Sequence, residues 1–333
     1  MVSIIIVNYF HKNQLVKCLE SINKNKIVDF EIVIVNNSPK ESLQRIIDDY
    51  PKVKIIEANN IGFGRGCNFG AKISRGKYLA FLNPDSVVSN NWLKEALKSF
   101  KKKRAGIVMS KILSLDGKIV NSWGGEVNYT GFSWAGGSGK RNEPIQEPYE
   151  VSAASGASFF IGRKLFKKLG GFDPKFFMYV EDLDLSFRAR LLGYKVLCAP
   201  RSLVFHDYEF NKGDYKLYYL ERNRLFFIFK NYSLKMILLF LPAIIFLELG
   251  LWTYFLFQGK IKLKFKAVGE FFKNYKYLAR LRKLIRDERK ITDKEMIKIF
   301  SSKIESNEVN RGLIKYFVNP VLAFYFKLVK ILF

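Results

Sequence analysis

Apolar residues in the first hundred positions come in short unbroken runs separated by amphipathic stretches. VSIIIVNY, FEIVIVNN, VKIIEAN and KYLAFLNPD are rich in Ile and Val. They lack the in-out alternation of a half-exposed strand, as strands covered on both faces do. Between them lie NQLVKCLESINK, PKESLQRIIDDY and GCNFGAKISRG, which read as helices. Regular alternation of strand and helix predicts a parallel sheet with covering helices. In such sheets ligands bind beyond the carboxyl ends of the strands. The residues there are Asn8-Tyr9, Asn36-Asn37-Ser38, Asn59-Asn60 and Asn83-Pro84-Asp85. All four ends are polar and are expected to line one crevice.

From about residue 105 the pattern changes. GIVMSKIL, GKIVNSWG and GASFFIGR read as strands, and WAGGSGKRNEPIQEP as a mobile loop. RKLFKKLGGF predicts a short helix ended by Gly. VEDLDLSFRARLLGYKV predicts a helix with acid at its start and Gly at its end, with Leu183, Phe187 and Leu191 as its inward stripe. SLVFHDYEF closes this part with a strand. A boundary is expected after residue 232. Beyond it, LKMILLFLPAIIFLELGLWTYFLFQGK holds a single acid, Glu248, and is long enough to cross a bilayer. Pro242, Glu248 and Gly250 argue against a simple span, so a re-entrant or interfacial hairpin stands beside it. KIKLKFKAVGEFFKNYKYLARLRKLIR then interleaves cations with aromatics, which suits anionic headgroups.

Charge reinforces that reading. The 333 residues carry a formal net charge of +26 and include 31 Phe. Basic and aromatic residues together fit nucleic acid or an anionic membrane surface. Cys18, Cys67 and Cys198 form no CxxC, so neither a zinc site nor a disulfide framework is indicated. MVSIIIVNYF has no basic n-region and no small-residue cleavage site, and reads as a buried strand. A cytoplasmic catalytic part is expected.

Against this basic background, YVEDLDLSFR places Glu181, Asp182 and Asp184 within four positions. Acid favours a helix start, so capping is one reading. The other is chemical. Asp182 falls where an N-cap is expected, and an ionised carboxylate there can act as general base toward a hydroxyl. Asp184 and Arg188 are spaced for an i,i+4 pair. Asp85 reads either as part of an Asn-Pro-Asp turn or as a ligand for Mg²⁺ or Mn²⁺. NNIGFGRGCNFG is either a plain Gly-rich loop or a place where backbone and Arg65 approach a phosphate. His206 is a strand-end imidazole or a metal ligand; His11 is expected to be exposed.

Taken in order, SIIIVNY, VIVNNS, NNIGFGRGCNFG, FLNPDS, SGASFFIGR, GGFDPKFFMYVEDLDLSFR and His206 resemble the family 2 glycosyltransferases of the GT-A fold, most closely the rhamnosyltransferase-like branch. The resemblance runs over roughly residues 2–232. It implies an α/β GT-A fold, a Rossmann-like mixed sheet with covering helices; the apolar run and the basic-aromatic stretches make 233–333 an expected helical membrane-associating region. Asp85 matches the last acid of the family's metal-binding motif, with Asn83 at its first position, and His206 matches a residue completing metal coordination in some members. Asp182 matches the catalytic base. Asn8, Asn37, Asn60 and Asn68 fall in the donor-binding segments, with Arg65 nearby. Asn36 stands where many members carry a base-reading Asp; an amide can still pair with a base edge. Gly156, Phe172, Asp173 and Glu181 fall in the acceptor and sugar region. The implied reaction is inverting transfer from a nucleotide-diphospho-sugar to a hydroxyl of a lipid-linked or glycan acceptor, at the cytoplasmic face of a membrane and without nucleic acid. A polyprenyl-phosphate sugar synthase and a catalytically inactive relative are the rivals; a scaffold leaves the ordered motifs unexplained.

Overall fold

The computed structural model describes residues 1–25, 28–50, 53–206, 213–307 and 311–333. It divides into two compact units. The first runs to residue 125, resumes over 135–189, and continues from 194 through the last long strand. The second takes 126–134, 190–193 and everything from residue 213 on.

In the first unit β1 (Val2–Asn8), β2 (Phe30–Asn36), β3 (Val53–Glu57) and β4 (Tyr78–Leu82) are parallel, in the order β3-β2-β1-β4. Every residue of β1 is buried, as its unbroken apolar run requires. Helices α1 (Lys12–Asn23), α2 (Gln44–Asp49) and α3 (Phe63–Ile73) connect them. β1 has β2 on one side and β4 on the other, so the chain winds outward from it on both sides, which makes its carboxyl end the topological switch point. The register sets Asn8 opposite Asn36, and Asn36 opposite Glu57.

Beyond β4 the sheet is mixed. After Asp85 come β5 (Ser86–Val88), which the sequence reading did not separate from its turn, and α4 (Trp92–Ser99). β6 (Ala105–Leu113), β7 (Val120–Ser122), β8 (Gly125–Asn128), β9 (Ser133–Ala135) and β10 (Tyr149–Glu150) follow. β11 (Ser158–Gly162) lies antiparallel between β4 and β6. Helices α5 (Arg163–Lys168) and α6 (Glu181–Leu191) precede β12 (Lys195–His206), which pairs with β6, β10 and β5. The stretch read as a mobile loop is partly pinned: Val120 N–H donates to Lys140 O, and Asn142 N–H to Lys118 O, at 2.9 and 2.7 Å. Residues 207–210 of the expected closing strand lie outside the described residues.

The second unit begins one helix earlier than expected, because α7 (Gly213–Asn231) belongs with it. Its other elements are α8 (Leu234–Phe257), α9 (Ile261–Lys273), α10 (Tyr275–Glu288), α11 (Asp293–Met296), β13 (Phe300–Ser301), α12 (Arg311–Leu313), a π-turn over 314–318, and α13 (Asn319–Lys330). β13 adds to β8 and β9. Tyr129 stacks on Phe326 at 4.7 Å and donates its hydroxyl to Leu322 O at 2.8 Å. α8 is one helix, continuous through Pro242, so the hairpin weighed for it does not form. It is long and apolar enough to cross a membrane by length and composition.

Candidate functional site

Four strand ends and the start of α6 supply the polar groups. Asn8 is fully buried; its amide donates to Asn36 Oδ1 at 3.1 Å and to Glu41 Oε2 at 2.9 Å. Asn36 is equally buried. Its amide donates to Glu57 Oε2 at 2.9 Å and to the Glu41 carbonyl at 3.1 Å, while Oδ1 also accepts the Ser38 hydroxyl. Both ends of this side chain are spent on protein, so Asn36 braces the crevice and does not present an amide to a base edge. Asn37 donates to Gly62 O at 3.2 Å, which leaves its buried Oδ1 without a partner, as is Asn8 Oδ1. Buried oxygens of this kind call for a donor from outside the protein. Exposed Tyr9 and Phe10 stand beside them with ring centroids 4.8 Å apart.

The Gly-rich segment serves close packing. Gly62 has φ +84°, and a Cβ on it would come within 2.5 Å of Phe177 O. A Cβ on Gly70 would come within 2.6 Å of Ile5 in β1. Glycine therefore lets α3 seat on the sheet and against the 172–180 segment. Arg65 is exposed and makes no ion pair or hydrogen bond among the described residues. Asn60 accepts the Gly62 N–H at 3.3 Å. Asn68 is committed elsewhere: its amide donates to Phe172 O at 2.7 Å and its oxygen accepts Phe172 N–H at 2.9 Å. Both ends of its side chain hold the loop at Phe172.

Asp85 and His206 meet across 121 positions of sequence, with His206 Nε2 2.9 Å from Asp85 Oδ1. The pairing of β5 with β12 enforces this, since His206 lies opposite Ser86. Burial pushes the Asp85 carboxyl up. The His206 hydrogen bond and charge, with the charge of His11, outweigh it and hold the group below its ordinary range. His11 is half-buried, not exposed as expected. Asn83 is half-buried beside them, and its backbone N–H donates to Ala157 O at 3.0 Å.

Asp182 lies one residue inside α6, which starts at Glu181, so it is not the N-cap. It is held nonetheless: Oδ2 accepts the Gly156 N–H and Oδ1 accepts the Leu183 N–H, both at 2.7 Å. Burial raises its carboxyl above the ordinary range, against the pull of those two amides. Desolvation thus outweighs the amide donors at the start of the helix. Glu181 is buried with Oε2 unpartnered, and burial, then the charges of Asp182 and Asp184, push it up to about 8. Asp184 and Arg188 form the expected pair at 2.9 Å, and Arg188 also donates to Gly171 O. Leu183, Phe187 and Leu191 are buried as predicted.

Two residues assigned to the acceptor region do other work. Phe172 is fully buried against Phe81, Phe159 and Phe166. Asp173 is buried and accepts the Lys175 N–H at 3.0 Å, which fixes a turn. Between them and Glu181, Phe177, Tyr179 and Val180 all adopt left-handed φ of 64–69°. For bulky and β-branched side chains this is strained backbone. Sequence reasoning missed His11, Glu41 and Glu57. His11 had one signal, as one of two His and three positions past a strand-end Asn. The two glutamates had none beyond position.

A divalent cation fits the residues present. Asp85 retains exposure and a second oxygen, and Asn83 and His206 flank it. Among the described residues no three or more His, Cys, Asp or Glu gather into a cage. The donor set on which the fit rests is the Asp85 carboxylate, since a hard cation needs only one or two such groups when phosphate oxygens complete its shell.

Residues 3–170 match the family described as Glycosyl transferase family 2. Rhamnosyltransferase WbbL of Escherichia coli K12 is 26% identical over 220 residues, 62% of this chain and 83% of that protein. O-antigen biosynthesis protein RfbC of Myxococcus xanthus is 28% identical over 53% of this chain, and human polypeptide N-acetylgalactosaminyltransferase 10 is 28% identical over 54%. The matched regions span 15% and 32% of those two proteins. Among solved structures, GalNAc-T7 with UDP, GalNAc and Mn²⁺ aligns at TM-score 0.56 and 22% identity, over 68% of this chain and 47% of that one. Staphylococcus aureus TarS 1-349 aligns at 0.52 and 16% identity, over 99% and 90%. The mannosyltransferase PcManGT of Pyrobaculum calidifontis, with GDP-Man and Mn²⁺, aligns at 0.52 and 13% identity, over 99% and 86%. These likenesses establish the GT-A-like mixed α/β fold.

Proposed function

Because the chain belongs to glycosyl transferase family 2, we propose that it moves a hexose, rhamnose among the candidates, from a nucleotide-diphospho-sugar to an acceptor hydroxyl with inversion. The observation that carries this is the backbone link between two acids. Gly156 N–H holds Asp182, and the next residue's carbonyl holds Asn83, two positions before Asp85. One dipeptide thus ties a carboxylate of raised basicity to the strand end that bears the metal-type ligands.

Each group has a part in the transfer. Asp182 accepts the proton of the attacking hydroxyl; its two amide donors fix the carboxylate's orientation. A carboxylate raised above its ordinary range is the better base, which favours a hydroxyl acceptor over the phosphate acceptor of a polyprenyl-phosphate sugar synthase. Asp85, with His206 and Asn83, would hold Mg²⁺ or Mn²⁺. When bound, the cation neutralises charge on the departing nucleoside diphosphate. Asn8 and Asn37 offer unpartnered oxygens to donor N–H or O–H groups, and Tyr9 and Phe10 offer faces for a base. The acceptor in this reading is a lipid-linked glycan at the cytoplasmic face of a membrane. The E. coli and M. xanthus relatives, by their names a rhamnosyltransferase and an O-antigen biosynthesis protein, support that class.

A thermal-shift series tests it: UDP-, dTDP- and GDP-sugars, each with and without Mn²⁺, beside Asp85→Ala. Stabilisation by one nucleotide class, dependent on metal and lost in the variant, is expected. No shift with any donor overturns the reading in favour of an inactive relative.

A further inference from the structure

The second unit has an outer face that its own fold leaves uncovered. In α8, Met236, Phe240, Ala243 and Leu247 are buried at helical spacing. The opposite side carries Leu234, Leu238, Leu241, Ile245 and Leu249, which are 41–66% exposed. α13 repeats the arrangement. Leu322, Phe326 and Val329 point inward, while Val321, Phe324 and Leu328, with Phe317 just before the helix and Ile331 just after it, are 47–79% exposed. The two helices touch: Phe240 meets Phe326 at 6.3 Å, Tyr325 donates its hydroxyl to Leu239 O at 2.8 Å, and Lys235 lies over the Phe333 ring. An earlier residue of α8 meets a later one near α13, so the pair is antiparallel. Ten side chains about half exposed amount to on the order of 1,000 Å², above the roughly 300–600 Å² of the largest patch on an ordinary soluble monomer.

Charge selects the occupant. The acid of α8, Glu248, is turned inward, with Oε2 2.7 Å from Lys264 Nζ and the other oxygen on Arg224. Glu221 joins the same two cations. Exposed Lys235, Lys315, Lys327 and Lys330 border the apolar stripes, and residues 311–333 contain no acid. A second copy docked face to face would oppose these lysines to one another. A spanning α8 would carry Glu248 and its buried partners toward the hydrocarbon centre, where ionised groups are costly. A leaflet with anionic headgroups satisfies both stripes and lysines.

We infer that α8 and α13 form a monotopic seat which lies in the plane of an anionic leaflet and buries its apolar stripes without crossing. The inference stands on the second unit alone and does not depend on the transfer reaction.

Flotation of the purified full chain tests it, with vesicles of phosphatidylcholine and vesicles one-third phosphatidylglycerol, in the absence of any sugar donor. Binding at least tenfold stronger to the anionic vesicles is expected, with release by alkaline carbonate. Ile245→Glu with Phe324→Glu should lower it at least tenfold with the circular dichroism spectrum kept. Should that variant misfold, Lys327→Glu with Lys330→Glu, which changes only exposed side chains, should weaken binding to the anionic vesicles. Carbonate-resistant insertion would instead establish a span. A dimer in light scattering, dissociated by the same variants and indifferent to vesicles, would assign the face to a second copy. Absent or composition-blind binding would remove the seat altogether.

Discussion

Asp182 Oδ2 lies 2.7 Å from the Gly156 amide nitrogen, and that hydrogen bond fixes the carboxylate toward the sheet end that carries Asp85. Asp182→Asn retains the shape and removes the base. It should lower kcat by about 10²–10⁴ and leave donor affinity unchanged. The pH profile separates a base from a structural acid. Burial places Asp182 above the ordinary carboxylate range, so wild-type kcat/KM should fall on the acid side at a pH above that range. The asparagine variant should lack this limb.

Glu181 makes a prediction about stability. Its carboxyl has an ordinary value of 4.5 and rises to about 8 in the fold through burial and neighbouring charge. A raised folded value means that the folded state holds a proton the unfolded chain has released. The stabilisation is full below 4.5, and is lost as pH rises toward 8. Glu181→Gln keeps the neutral form at every pH. Its melting temperature should match wild type near pH 4 and exceed it by at least about 3 °C at pH 8.5.

The Asp85–His206 pair should govern metal-dependent binding. His206→Ala leaves Asp85 without its imidazole partner. Calorimetry with Mn²⁺ and the preferred nucleotide should show an affinity about 10–100-fold weaker, with metal-free binding unchanged.

Position 36 tests whether this chain tolerates the Asp common at that place. Asn36 Nδ2 donates to Glu57 Oε2 and the Glu41 carbonyl at 2.9 and 3.1 Å. Asn36→Asp sets an oxygen against both and adds a third charge beside Glu41 and Glu57. Urea titration should show a loss of about 2 kcal/mol, and Asn36→Asp with Glu57→Gln should recover most of it.

Much of the fold was legible because buried strands must be written as apolar runs. VSIIIVN, FEIVIVN and YLAFL could hardly be anything else. The polar strand ends were legible for the same reason: parallel strands end on one side of their sheet, where Asn8 and Asn36 meet at 3.1 Å. Side-chain roles within it were less legible. Asn36 and Asn68 have the right residue type and position, but hydrogen bonds to Glu57 and Phe172 absorb them. Those partners are set by register and loop path, which local patterning does not encode. Phe172 shows the same limit, because only tertiary packing distinguishes a core aromatic from a site aromatic. The left-handed run before Glu181 was invisible, since Phe177, Tyr179 and Val180 are residues that avoid such φ values.

The position of β12 bears on how the chain comes off the ribosome. That strand sits between β10 and β6 and also pairs β5, yet it is the last element of the first unit to be synthesised. Until residue 206 has emerged, one side of β6 is an open strand edge, and Asp85 lacks its imidazole. Translation at about 5–20 residues per second leaves that edge exposed for several seconds after β6 itself has appeared. The nascent protein therefore passes through a stage with β1 to β4 available to pair, an Asp85 without its imidazole partner and a pairing edge that must be kept from other chains.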